Sequence, residues 1–288
     1  MASENHVENP VEYLMENASL NLAAVGRALT PNPARHIGQA RPQVRKITVH
    51  DLMEALREGA GDVGALRDDI LFIGLIYPVA GLVLARLAFS YDFLPMVFPL
   101  ASGFAILGPL AAIGLYELSR RRDMGGRVTW ADAFGVLRSP ALGSIVGLGA
   151  IFLALFGLWL GVAYEINLAT LGPTAPPTLR AFEHNLFWTE AGATLIVAGV
   201  GAGFLFAVVA FALGVVSFPL LLDRDVDLWA AIGASFRAVA ANPGVMALWG
   251  LIVAGLLVLG SLPALVGLIF VMPLLGHASW RLYRKVVV

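Results

Sequence analysis

Six runs of predominantly apolar residues, at roughly 70–89, 95–118, 141–164, 191–221, 244–262 and 264–283, dominate this chain. A bilayer core needs about 20 such residues per helix, because inside it each backbone polar group must find its partner within the segment. Each run approaches or exceeds that length. The last two are parted by Gly260-Ser261-Leu262-Pro263, a strong turn signal. One helix across both would be about 60 Å long, twice the hydrocarbon thickness. The runs therefore predict an all-α, polytopic membrane helix bundle with six transmembrane helices. Hydrophobic residues at 58% and a mean hydropathy of +0.79 agree, since a soluble domain could not carry them on its surface.

Orientation follows from the basic residues. Residues 1–69 carry seven Lys and Arg, the 119–140 segment carries Arg120, Arg121, Arg122, Arg127 and Arg138, and the 222–243 segment carries Arg224 and Arg237. With Arg281, Arg284 and Lys285 of the tail, seventeen of nineteen fall on one side of a six-span path. Both termini are then cytoplasmic, in a bacterial inner membrane. The amino terminus, MASENHVENPVEYLMEN, lacks the basic and apolar regions of a signal peptide and is expected to stay where it was made. Residues 1–46 read as a cytoplasmic tail, Pro-broken and basic toward its end, and 47–288 as the membrane domain.

The segments before the odd-numbered spans resemble one another. They read ITVHDLMEALR at 47–57, VTWADAFGVLR at 128–138 and VDLWAAIGASFR at 226–237. Each begins with a β-branched residue and a helix-capping candidate, Thr48, Thr129 or Asp227, and each ends in arginine. Trp130, Phe134 and Leu137 in the second copy, and Trp229 and Phe236 in the third, lie on one helical face. Near the ends of the even spans stand Gly108-Pro109-Leu110, Phe218-Pro219-Leu220 and Met272-Pro273-Leu274. The expectation is three tandem hairpins, in units starting at 47, 128 and 226, each preceded by a cytoplasmic amphipathic helix. The bland alternative is that any loop entering a membrane looks like this.

The VTWADAF helix, the DVDLWAAI…NPG loop and the terminal MPLLGHASWRLYR resemble an uncharacterised family of bacterial integral membrane proteins, defined only as a domain of unknown function. The resemblance covers roughly 47–285 and is most specific in the final sixty residues. Some members carry the label cytochrome c oxidase subunit I. That label implies about six histidines within helices for two haems and copper. The chain has five, His6, His36, His50, His184 and His277, and only His277 falls in a predicted span. A catalytic oxidase subunit is therefore rejected. The family brings no known site residues.

No motif supplies chemistry in its place. The chain has no cysteine, and no phosphate-binding loop, zinc-protease or serine-hydrolase motif occurs. Asp223, Asp225 and Asp227 open like a calcium loop, but Leu228 and Ala234 stand where Gly and Glu are required. No catalytic, cofactor or metal residues are assigned, and neither cofactor nor nucleic acid is expected. Three polar candidates remain near the membrane. Arg86 is placed to snorkel outward, Glu117 to pair with Arg120 and Arg121, and His277 to join Trp280, Tyr283, Arg281 and Arg284 in an interfacial belt.

The pairs Gly143/Gly147, Gly157/Gly161 and Gly199/Gly203 have G-x-x-x-G spacing, which lets helices or subunits approach closely. The favoured reading is a non-catalytic accessory, assembly or scaffold component that contacts lipids and a membrane-protein partner or a second copy. The alternative is a small-molecule or lipid transporter or channel.

Overall fold

The computed structural model describes residues 42–65, 95–126, 128–174, 178–263 and 265–288. The first predicted span, Arg86 and most of the amino-terminal tail lie outside the described residues. Every element longer than one residue pair is helical: α1 (Val49–Ala65), α2 (Val97–Ile106), α3 (Gly108–Ala111), α4 (Ile113–Asp123), a 3-10 helix η1 (Trp130–Arg138), α5 (Leu142–Thr170), α6 (Leu179–Phe187), α7 (Glu190–Gly214), α8 (Ser217–Asp223), α9 (Leu228–Ala241), α10 (Pro243–Ser261) and α11 (Leu268–Val286).

Among the described residues, three segments are long and apolar enough to cross a membrane: Leu142–Thr170, Glu190–Asp223 and Pro243–Ser261. Their outer surfaces are apolar, with Val197, Phe204, Leu205 and Leu251 all strongly exposed. In water that surface would be an aggregation site; in lipid it is the surface the solvent requires.

The predicted 95–118 span is not one helix. It is α2, α3 and α4, with breaks at Leu107 and Ala112 on either side of Gly108-Pro109. Pro109 lacks an N–H and crowds the preceding turn, so the rod is interrupted where the sequence carries its breaker. Backbone bonds from Ala111 to Leu107, Ala112 to Gly108 and Tyr116 to Ala112 carry the chain across. The last predicted span is also displaced: its helix runs Leu268–Val286, and its second half is polar and buried against protein.

The core forms where small residues let helices close. Trp159 of α5 lies against Gly203 of α7, and its ring meets that of Phe206 at 5.6 Å. Its indole N–H donates to the Pro99 carbonyl at 2.8 Å, tying α2 to the same point. Phe152 packs on Phe218 at 5.2 Å, joining α5 to α8. Helices α1 and α11 run antiparallel, with the Arg45 N–H bonded to Val286 O and the Val288 N–H to Gln43 O beside a Val44–Val287 bridge. A Cβ on Gly59 would sit 2.6 Å from the backbone nitrogen of Ala278. Backbone cannot swing aside as a side chain can. Gly59→Leu is thus expected to part α1 from α11 and cost about 1–3 kcal/mol or more, read as a lowered unfolding midpoint in detergent.

Candidate functional site

Most charge-bearing side chains of the described residues converge in one layer, built by α1, α4, η1, the end of α8 and the second half of α11. Its centre is Asp62 of α1, buried at 3% exposure. Arg281 holds it through two parallel bonds, Nε to Oδ2 and Nη2 to Oδ1, each 2.9 Å. Arg122 adds a third, Nη1 to Oδ1 at 2.8 Å. Arg281 also reaches Asp123 at 2.6 Å, and the Trp280 indole N–H donates to the other oxygen of Asp123 at 2.9 Å. Bidentate guanidinium–carboxylate pairs are the strong form of this contact. Three helices remote in sequence are clamped by one carboxylate.

Beneath Asp62 lie Ser119 and His277, both fully buried. The Ser119 hydroxyl is 2.6 Å from His277 Nδ1 and 3.3 Å from Asp62 Oδ2. His277 Nε2 is buried without a hydrogen-bond partner among the described residues. Asp, Ser and His meet here in the wrong order for nucleophilic catalysis, which requires the imidazole between acid and hydroxyl. Enclosed as it is, the Ser119 hydroxyl links α1, α4 and α11 rather than presenting a nucleophile.

The Glu117 expectation is met in its partners and exceeded in burial. Its carboxylate accepts from Arg120 at 2.7 and 2.9 Å and from Arg121 at 2.6 Å, and is itself buried. Arg121 continues to Asp132 of η1. Asp132 therefore does not simply face water, as a free helix-surface residue would. It also accepts from the Thr129 N–H at 2.8 Å and hydroxyl at 3.1 Å. At the head of α1, Asp51 takes the same two bonds from Thr48, at 2.7 and 2.8 Å. In both pairs the backbone N–H of the threonine is the chief reason that the carboxyl sits below its ordinary pKa. In the third copy Asp227 caps α9 directly, accepting from the Ala230 N–H at 2.9 Å.

Other placements depart from the sequence reading. Trp280 and Tyr283 are not an interfacial belt; both are buried, with the Trp280 indole on Asp123 of α4 and the Tyr283 hydroxyl donating to Asp223 of α8 at 2.7 Å, where Arg284 also binds. Asp223 and Asp227 are thereby committed elsewhere than to a calcium loop. The side chain of Asn242, just before α10, accepts from the Ile47 N–H at 2.8 Å and donates to the Arg45 and Ala238 carbonyls. Ser235, buried in α9, accepts from the Val216 N–H at 3.3 Å. Lys285 bonds Glu54 at 2.8 Å and Glu58 at 3.1 Å; burial alone would lower its pKa, but these bonds outweigh it and raise it. Among the described residues, no three His, Asp or Glu side chains are grouped to hold a metal ion.

The segment 130–138 winds as a 3-10 rather than an α-helix. Trp130, Phe134 and Leu137 are exposed at 42%, 59% and 65%, and Val136 is the residue it buries. Trp130 and Phe134 meet edge-on at 6.2 Å. Trp229 and Phe236 of α9, and Val49 and Met53 of α1, are exposed in the same way. The glycines divide: Gly147 is buried and Gly203 faces Trp159, so these serve the bundle itself, whereas Gly157, Gly161 and Gly199 face open space.

Apolar spans ending in a layer of interlocked charges define an integral membrane protein. Residues 97–223 match the model of a family described as predicted integral membrane proteins of unknown function, DUF2189. The match runs from α2 to the end of α8, short of the final sixty residues where the resemblance in sequence is most specific. No curated protein and no solved structure matches the chain.

Proposed function

We propose that the protein is a non-catalytic accessory, assembly or scaffold component of a membrane complex, with its charged layer on the cytoplasmic face of a bacterial inner membrane. The carrying observation is the division of α5 into two faces. Leu148, Phe152, Trp159 and Ala163 are packed inside, while Ala154, Gly157, Leu158, Gly161 and Tyr164 are open. Beside this face, the acids and arginines of the layer neutralise one another and leave Ser119 and His277 enclosed. Open small residues on a span permit close approach by another helix. Mild-detergent extraction from the native membrane is expected to yield the protein with a second membrane protein or a second copy. Gly157→Leu with Gly161→Leu should release that partner without lowering the unfolding midpoint. A lone monomer that supports solute flux in liposomes would overturn the reading in favour of transport, for which the interruption at Gly108-Pro109 is the supporting feature.

The carboxylates that close the heads of α1, η1 and α9, those of Asp51, Asp132 and Asp227, support three units starting at 47, 128 and 226. In each, a short capped helix would lie in the interface and launch a hairpin. Exposed Trp130 and Phe134 would then sit among headgroups, each contributing about 1.5–3 kcal/mol if fully buried there. Replacing both with Asp is expected to reduce the membrane-inserted fraction, measured by fractionation and detergent extraction. Unchanged abundance and fold would contradict the placement.

A further inference from the structure

Two of the three span-like segments terminate at one cavity. Ala141, which precedes α5, and Leu221, Leu222 and Asp223, which end α8, line a space of about 370 Å3 together with α4 and η1. That volume lies within the roughly 300–1,000 Å3 of ligand pockets. Because the apolar segments stop there, the cavity lies at the level where hydrocarbon gives way to headgroups. Four guanidinium groups line it, Arg120, Arg121, Arg138 and Arg224, against three carboxylates, Glu117, Asp223 and Asp225.

These charges are not equally available. Glu117 is saturated by Arg120 and Arg121. Asp223 is held by Tyr283 and Arg284. Arg224 donates to the Val288 carbonyl at 3.0 Å. Arg138 has no hydrogen bond or ion pair to any described residue, and it is exposed at the rim. The Ser139 oxygen accepts from the Ala141 N–H at 3.2 Å, which leaves its own hydrogen free to donate. The start of the 29-residue α5 adds partial positive charge at the same place. On the outer side, Phe134 and Leu137 of η1 offer exposed apolar surface next to Arg138.

We propose that this cavity binds the phosphate headgroup of an anionic phospholipid, with Arg138 as its main charged contact and Phe134 and Leu137 against the lipid's apolar part. Phosphate chemistry suits an open guanidinium fork with a neighbouring hydroxyl, and basic pockets between spans are suited to such headgroups. The full-length protein, delipidated in mild detergent, is titrated with phosphatidylglycerol and with phosphatidylcholine, and bound lipid is counted by native mass spectrometry. Phosphatidylglycerol is expected to bind the more tightly, and Arg138→Gln to weaken it about fivefold, the effect of one basic residue near a lipid surface. Arg57→Gln, an exposed change outside the cavity, should leave binding unaltered. Equal binding by Arg138→Gln and the unmodified protein would overturn the site, as would an equal loss in Arg57→Gln. Inorganic phosphate at millimolar concentration should not displace the lipid; full displacement would overturn the lipid assignment and make free phosphate the occupant.

Discussion

Asp62→Ala is expected to loosen the charged layer, at a cost of about 3 kcal/mol, because it takes the buried carboxylate away from two partly exposed arginines at once rather than merely deleting one contact. Arg281 and Arg122 would lose their shared carboxylate, and the Ser119 hydroxyl one of its two hydrogen-bond partners. The measurement is the thermal midpoint of the purified protein in detergent. Adding Arg281→Ala to Asp62→Ala should cost less than Arg281→Ala alone, since the two residues act through one bond pair. A coupling energy between about 0.5 and 3 kcal/mol is expected from a double-mutant cycle. Strict additivity would show that the clamp does not hold the layer together.

Trp159→Ala should be comparably damaging, by about 3–5 kcal/mol, but for a different reason. Its ring fills the space against Gly203 and Phe206, and its N–H satisfies the Pro99 carbonyl. Truncation leaves a void between α5 and α7 and removes the bond that ties α5 to Pro99 of α2. Trp159→Phe separates the two contributions, since it keeps most of the ring and loses only the hydrogen bond. Its expected cost is about 0.5–1.5 kcal/mol, that of one hydrogen bond, since the Pro99 carbonyl keeps the Ser102 hydroxyl as a donor. If Trp159→Phe were as severe as Trp159→Ala, packing against Gly203 would not be what positions α5.

What could be read from the sequence was local. Glu117 with Arg120 and Arg121 is visible as i, i+3 and i, i+4 spacing, and Thr48, Thr129 and Asp227 are visible as caps, because their partners lie within one turn. Long apolar runs announce their length whatever surrounds them, and α5, α7 with α8, and α10 appear where expected. The centre of the layer was not legible. Asp62 sits in a Gly-rich stretch that looks like a linker, and its partner Arg281 is 219 residues away. The terminal aromatics misled because Trp and Tyr beside Arg read as an interfacial belt, while the groups they bond in the buried layer, Asp123 of α4 and Asp223 of α8, lie far away in sequence. Gly108-Pro109 is visible as a repeated feature, yet the apolar run around it is long enough to hide the break it causes. Distant pairing, not composition, decided each of these.

Site-specific photo-crosslinking in the native membrane tests the central claim most directly. A photoreactive residue replaces exposed Leu158, beside Gly157 and Gly161, or buried Phe152 on the packed face of α5. A partner-holding component should give one discrete protein adduct from position 158 and none between chains from position 152. Lipid adducts alone from position 158, in membranes where the protein is correctly folded, would contradict the account.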